Sequence, residues 1–572
     1  MILQALTKLY DDLLRRGEVP SEGWSQVKVG FALCLDKDGA LVDVVPTMRE
    51  VQDKKGKTQL VKQEMRLPTP TSRSSGVCPQ FLCDNSGYFL GVDKKGKPQR
   101  TMQCFEEAKK LHLRLLRGVA SPVAKAVVRF FETWDPEKCR ENVVFAENEE
   151  ALTEGSNLIF RVDGTYAQED EAIQAVWQTE YDQGGENTIR CLVSGKEDVL
   201  ARLHPMIKGV SGAQTSGAAI VTFNSEAFCS YEREQGANAP IGKRAAFAYT
   251  TALNYLLSDR DNTQHVGDTT VVCWADGAEP QYTTIANIVI FGKESRQMDN
   301  DTLHSIVKKL ASGMPYEEKN LNPNCDFYIL GIAPNASRLA IRFFYKGTFG
   351  ELLRNVVAHH ERMAICGTTE AVPMWKLLNE TVNQKSANPT HSPAMESGLF
   401  RAVTEGTLYP AALMQAVMLR IRAERRITPI RAGILKAYYL KNKDARCPEE
   451  VLTMSLNENS TNVPYTLGRL FAVYEAVQEK ANPGINATIK DKYFSAAAST
   501  PAHIFPVLER LSGHHLRKLN AGAQVYYKKM VTELMSILED GFPVTLGLPE
   551  QGSFYLGYYH QKQKQFEKKE DK

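Results

Sequence analysis

The sequence predicts an α+β, multidomain protein: a mixed α/β N-terminal region followed by an all-α C-terminal helical bundle. Three observations carry that prediction. The chain has 572 residues, more than one ordinary core holds. Strand-like and helix-like patterns alternate up to about residue 392. From about Pro393 strand signals vanish and long helical periodicity takes over. Three regions follow: 1–140, 141–392 and 393–572.

The first element is "MILQALTKLYDDLL", apolar at Ile2, Leu3, Leu6, Leu9, Leu13 and Leu14 but interrupted by Asp11 and Asp12. This reads as an amphipathic helix and not a signal peptide. Two apolar runs flank Asp38-Gly39 within Val27–Val45, a hairpin signal. The stretch Arg66–Asn85 is rich in Pro, Ser and Thr and reads as a loop. Gly87–Arg100 begins as a strand and ends in a basic turn, and Phe105–Gly118 reads as a basic helix. Further along, Asn157–Gly164, Ala218–Asn224 and Thr269–Gly277 read as strands, and Ala245–Arg260 as a helix. Asp326–Gly347 reads as two strands joined at Pro334-Asn335-Ala336, followed by a helix over Glu351–Met363. The last region holds stretches such as "YPAALMQAVMLRIRAERR" and "VYYKKMVTELMSILEDG". It ends in a charged, solvated tail, "QKQKQFEKKEDK". No internal repeat is present.

Composition narrows the function classes. Hydrophobic content of 43% and charged content of 24% fit a globular chain. Net charge is only +2, so any footprint for nucleic acid must be local. The eleven cysteines contain no CxxC, and the nearest pair is Cys78 and Cys83. That pattern argues against a zinc ribbon and suits a reducing cytoplasm. No run of eighteen apolar residues exists, so a membrane is not expected as a partner.

Catalytic signatures fail one by one. Gly212 and Gly217, in "GVSGAQTSGAAIVTFN", have the Walker A separation. Ala218 and Ala219 then stand where Lys and Ser/Thr are required. A structural turn and a backbone contact to phosphate both remain open for this loop. GxGxxG and GxSxG motifs are missing. Neighbouring histidines at 359–360 and 514–515 point about 100° apart on a helix, which makes a poor chelate. The expectation is therefore no catalytic residue, no metal and no cofactor.

Basic and polar clusters say more. Arg420–Lys443 holds eight Lys or Arg against one acid, Glu424. Pro429 should break it into two helices. Arg422, Arg425, Arg426, Arg431 and Lys436 are candidates for a nucleic-acid backbone, the alternative being a solvated helix face. In the Arg66–Asn85 loop, Arg66, Ser72, Arg73, Ser74 and Asn85 offer groups for base edges and phosphates. Lys94, Lys95 and Lys97 follow on the next turn. Gln214, Ser216, Asn224, Gln235 and Asn238, within Gly209–Asn238, become DNA-binding candidates only through the family resemblance carried by the phrases below.

Several long phrases resemble one known family. They are "MILQAL", "FLCDNSGYFLGVD", "GAQTSGAAIVTFNSEAFCSYEREQGANAPI", "YILGIAPNASRLAIRFF", "LGRLFAVYEAVQ", "INATIKDKYFSAAASTP" and "QGSFYLGYYHQ". Together they are similar to the large-subunit family of the type I-C CRISPR Cascade complex, from Met1 to about Gln561. The resemblance implies a cytoplasmic, non-catalytic subunit beside the crRNA 5′ handle. Such a subunit inspects double-stranded DNA for a protospacer-adjacent motif, helps open the duplex into an R-loop and guides the displaced single strand. Its implied partners are crRNA, target DNA, the Cascade backbone and handle-binding subunits, a small subunit and a separately recruited nuclease-helicase. In this family the end of the reading frame is often also translated separately as the small subunit. Met454, after Cys447-Pro448, is the candidate internal start, giving residues 454–572. An architectural subunit that reads no bases, and a nuclease with a non-contiguous site, are the alternatives.

Overall fold

The computed structural model describes every residue except 53–57, 71–75, 95–96, 184–186, 260–262, 294–298, 368–370, 388, 540 and 567–572. It is an α+β protein whose contacts gather into two units. One comprises Leu3–Pro205 with Thr222–Ala252, and the other Met206–Val221 with Leu253–Lys572.

In the first unit, helix Ile2–Arg15 buries Leu6, Leu9, Tyr10 and Leu13 along one stripe, as its periodicity requires. Strands Trp24–Val29, Thr58–Pro68 and Met48–Gln52 form an antiparallel sheet. A second sheet is built on Phe31–Leu35 and Leu158–Val162, which run parallel. Leu41–Pro46 flanks it as the second arm of a hairpin from Phe31–Leu35. Asp38-Gly39 makes the expected turn, with Gly39 at φ +81°. The hairpin is shorter than Val27–Val45, because Trp24–Val29 joins the other sheet. Helices Pro98–Leu116 and Pro122–Thr133 supply aromatic rings to the core. Phe89 stacks on Phe160 at 4.7 Å between centroids, and His112 on Phe131 at 4.5 Å.

The second unit carries a four-stranded antiparallel sheet of Gln264–Val266, Thr269–Ala275, Asp326–Asn335 and Arg338–Thr348. The two long strands turn at Ala336, φ +54°. Helix Phe349–Met363 starts at a capping box of Thr348 and Glu351. Among the described residues no strand follows Thr348, in keeping with the loss of strand signals late in the sequence.

Two expected strands are not there. Ala218–Asn224 makes only single bridges, Ala218 to Ile207 and Ala219 to Arg338. The start of Gly87–Arg100 is helical instead, over Ser86–Phe89. Asn85 caps that turn through its side-chain oxygen, which overrides the strand-like run of aromatic and aliphatic residues. The units do not divide at 140/141 or 392/393. Phe130 and Phe145 share one core across the first line, and Phe343 stacks on Phe400 across the second at 3.7 Å.

The last helices share a core with the sheet of the second unit. Helix Val463–Ala481 is buried along most of its length against Leu548–Phe566. Their backbones meet at two glycines. A Cβ on Gly468 would collide with the carbonyl oxygen of Phe554, and one on Gly557 with that of Tyr465. Among the described residues no helix is long and apolar enough to cross a membrane.

Candidate nucleic-acid interface

The first group of candidates surrounds the short Asn85-capped helix. Asn85 is half-buried, and its Oδ1 accepts from the Gly87 N–H at 3.0 Å. Thr101 and Asp93 border the turn: a Cβ on Gly87 would lie 3.6 and 3.8 Å from them, and 3.1 Å from Asn85 Oδ1. Lys97 is exposed at the start of helix Pro98–Leu116. Lys94 is also exposed, its Nζ 3.5 Å from Glu150. Arg100 donates to the Gly76 carbonyl at 3.3 Å. Asn85, Lys94, Lys97 and the chain at Gly76 therefore belong to one patch. Ser72, Arg73, Ser74 and Lys95 lie outside the described residues.

Arg66 is not in the loop where the sequence places it. It sits on strand Thr58–Pro68, with its guanidinium 4.8 Å from the Trp24 ring centroid and a bond to Ser21 Oγ at 2.8 Å.

A buried imidazole fixes the base of the patch. His112 Nε2 accepts from the Leu82 N–H at 3.0 Å, so its Nδ1 carries the proton and donates to the Ala108 carbonyl at 2.7 Å. Leu82 is held at φ +58°, an uncommon conformation for a branched residue. Burial lowers the His112 pKa from its ordinary 6.5 to about 4. Nothing in the loop's own composition signals this tie, since His112 lies thirty residues away in the sequence.

The Gly/Ser/Thr loop belongs to the second unit up to Val221. Gln214 and Ser216 are exposed on it. Its glycines answer to geometry. Gly217 has φ +102°, and a Cβ there would lie 2.8 Å from the Met206 Cβ and 2.9 Å from the Ile207 carbonyl oxygen. The loop leads into single bridges and not into a helix, so it lacks the helix N-terminus of a phosphate loop.

Asn224 is exposed in the first unit. Gln235, φ +45°, and Asn238 sit in a short turn there. Asn238 accepts from the Ser230 N–H at 2.9 Å and donates to the carbonyls of Arg233 and Gln235 at 2.9 and 3.1 Å. Its polar groups close the turn.

The basic stretch Arg420–Lys443 does form two helices, Ala411–Glu424 and Pro429–Asn442, with Arg425 at φ +53° between them. Two of its cations are misplaced in the sequence reading. Arg431 is buried, with ion pairs to Glu380 and Glu424 at 2.7 Å each. Lys436 is buried as well. Its ammonium donates to the carbonyls of Glu361, Arg362 and Ala364 at 3.4, 3.2 and 2.7 Å, and burial lowers its pKa. Both face the core because helix Pro429–Asn442 packs its Arg431–Ala437 stretch inward, so neither is placed to track a phosphate. Arg422 is half-buried and donates to Gln551. Arg425 and Arg426 are exposed and form no ion pair among the described residues.

Other features fit anions poorly. A cavity of about 530 Å³ in the second unit is lined by Asp276, Glu279 and Asp326 against Lys319, a balance that repels phosphate. Among the described residues no group of three or more His, Cys, Asp and Glu is placed to hold a metal. His359 is a core residue, with Nδ1 2.6 Å from the Tyr409 hydroxyl.

The sequence reading missed one basic surface, the helical hairpin at residues 510–532. Its signal was an absence: that run has five Lys or Arg and no Asp or Glu.

No curated protein matches the chain. A family model described as CRISPR-associated protein (Cas_Csd1) matches residues 6–566. That span takes in both units, the Asn85 patch and the C-terminal helices alike, and so the chain belongs to the Cas_Csd1 family of CRISPR-associated proteins, a family of Cascade large subunits.

Proposed function

We propose that this chain is the non-catalytic large subunit of a type I-C Cascade effector. In this reading it recognises the protospacer-adjacent motif in double-stranded DNA, aids duplex opening and R-loop formation, and enables recruitment of a separate nuclease-helicase. Guide pairing supplies most sequence specificity in such systems, so the protein reads only a few base pairs and the backbone. The observation that supports the reading best is the family match over residues 6–566. The exposed Lys94 and Lys97 beside half-buried Asn85 suit duplex contact, with cations for phosphates and an amide nearby for base edges. Gln214, Ser216 and Asn224 are exposed polar candidates for the same task.

The test uses the assembled complex and DNAs that differ only in the adjacent motif. Lys94→Ala with Lys97→Ala should weaken binding to all of them alike and flatten the salt dependence. Gln214→Ala or Ser216→Ala should cost more on the preferred motif than on the others, if these side chains touch bases. Unchanged affinity in every variant rejects both groups of candidates. Cutting of DNA by the purified chain with Mg²⁺ or Mn²⁺, lost on changing a carboxylate, rejects the non-catalytic role.

A further inference from the structure

In the first unit, the stretch Ser225–Ala239 has no regular strand or long helix, yet its backbone is held at many points. The N–H groups of Phe228, Cys229, Arg233 and Ala237 donate to the carbonyls of Ser225, Glu226, Ser230 and Glu234 at 3.0, 2.9, 3.1 and 3.0 Å. The Asn238 side chain closes the turn on Ser230, Arg233 and Gln235. Gly236 ties it to the rest of the unit, donating to the Arg202 carbonyl at 3.1 Å. A Cβ there would lie 2.2 Å from the Ala201 carbonyl oxygen. Just beyond, the Pro240 carbonyl accepts from the Leu192 N–H at 2.9 Å.

What this fixed turn holds out is apolar. Tyr231 is 91% exposed, more than any other large hydrophobic residue among those described. Leu192 and Leu203, on the segments tied to the turn, are 66% and 62% exposed. Tyr231 and Glu232 both lie in the left-handed region, at φ +55° and +57°. Residues with side chains keep that conformation only where their surroundings enforce it. A ring on a swinging loop loses its freedom when it binds, whereas a ring on an ordered turn has lost it already, which suits an interface anchor. Carboxylates surround it. Glu226, Glu232 and Glu234 are exposed, and Arg233 is the only cation from Ser225 to Ala239. Arg202 is exposed at the foot of the turn.

We infer that this turn docks on another protein chain, with Tyr231 seated in an apolar pocket whose rim carries Lys or Arg side chains opposite Glu226, Glu232 and Glu234. The excess of carboxylate decides the class of partner. It repels phosphate at the distance where a ring could reach a base, and it draws in a cationic protein rim. Leu192 and Leu203 add apolar area beside the anchor, as the dry centre of a protein interface requires. The inference rests on the family reading, by which the chain works within an assembly of several subunits. It goes beyond that reading in naming the face and the chemistry of the surface that meets it.

The test uses the complex assembled from co-expressed subunits and guide RNA. With a benzophenone-bearing phenylalanine in place of Tyr231, irradiation should give a covalent adduct with another protein subunit. An adduct with RNA or with added target DNA, or no adduct at all, overturns the inference. Tyr231→Ser should weaken retention of the chain in the complex about thirtyfold or more, read by gel filtration at rising dilution, and Tyr231→Phe should be retained. Glu232→Lys with Glu234→Lys should weaken retention about tenfold at low salt, the difference narrowing as salt rises. Comparable thermal melting of the purified chains keeps folding out of the comparison. Unchanged retention of Tyr231→Ser rejects the site. Variants that stay in the complex but lose duplex affinity would make this face a nucleic-acid contact and overturn the inference. If Gln214→Ala and Ser216→Ala leave motif discrimination intact while Tyr231→Ser still leaves the complex, the motif-reading role falls and the docking site stands.

Discussion

Two stretches of this chain look alike on paper. Arg420–Lys443 has eight cations and one acid, and Arg510–Thr532 has five cations and no acid. Folding treats them differently. In the first, Arg431 and Lys436 turn inward to satisfy two carboxylates and three helix-end carbonyls. In the second, Arg517, Lys528 and Lys529 remain exposed. A run of positive charge is therefore no measure of available charge. What decides is whether acceptors fold against it: remote carbonyls meet Lys436, and Arg431 is met by Glu424 of its own stretch and by Glu380, fifty-one residues before it.

The largest effect that separates the two stretches should be on stability. Arg431→Met leaves Glu380 without the cation that faces it and Glu424 with only Arg420, 3.5 Å away. Breaking a buried pair from one side costs about 3–5 kcal/mol, read as a lowered denaturant midpoint. A loss below about 1 kcal/mol would show that the buried pairs are not holding the elbow.

Next comes acid. His112 is the first unit's example of a titratable group committed to folding. Its folded pKa, about 4, lies below the ordinary 6.5. As pH falls from 6.5 towards 4, the unfolded chain takes up a proton that the folded chain refuses, so stability is lost across that window. The shift corresponds to about 3 kcal/mol at its limit. His112→Gln removes this histidine's share of the pH dependence, and an unchanged acid profile in that variant would place the sensitivity elsewhere.

Of similar size should be the packing cost at the helix seam. Gly468→Ala sets a methyl group against the backbone of Phe554 and Tyr558, which cannot swing aside as a side chain would, and overpacking of this kind costs about 3 kcal/mol or more. The smallest effect belongs to the second basic stretch: Lys528→Ala with Lys529→Ala should change stability by no more than about 0.5 kcal/mol. A large loss there would erase the contrast between the stretches.

Much of the fold was legible where local chemistry and tertiary packing agree. The Asp38-Gly39 turn and the Pro429 break came from residues whose backbone preferences are strong, and Pro334-Asn335 marked the next turn although the residue that takes φ +54° there is Ala336. Misreadings arose where one side chain redirects a segment. Asn85 turns an apolar run into a capped helix, and Ala218 and Ala219 find only one bridge each. The Asn85 patch was legible as a polar loop followed by lysines, but its anchor was not, because His112 reaches Leu82 across thirty residues. Arg431 and Lys436 were misread for the same reason, their partners being remote in sequence.

The internal-start proposal has its own readout. Met454 is 53% exposed in a loop, and its carbonyl accepts from the Cys366 N–H at 2.8 Å. Met454→Leu should abolish a short co-purifying product, whose persistence would exclude this start. The glycine seam bears on what such a product could do. Gly468 and Gly557 both follow Met454, so a fragment beginning there carries the two halves of one clasp. During synthesis that clasp cannot fasten until helix Leu548–Phe566 has been made, so Val463–Ala481 waits for its partner while the helices between them are completed.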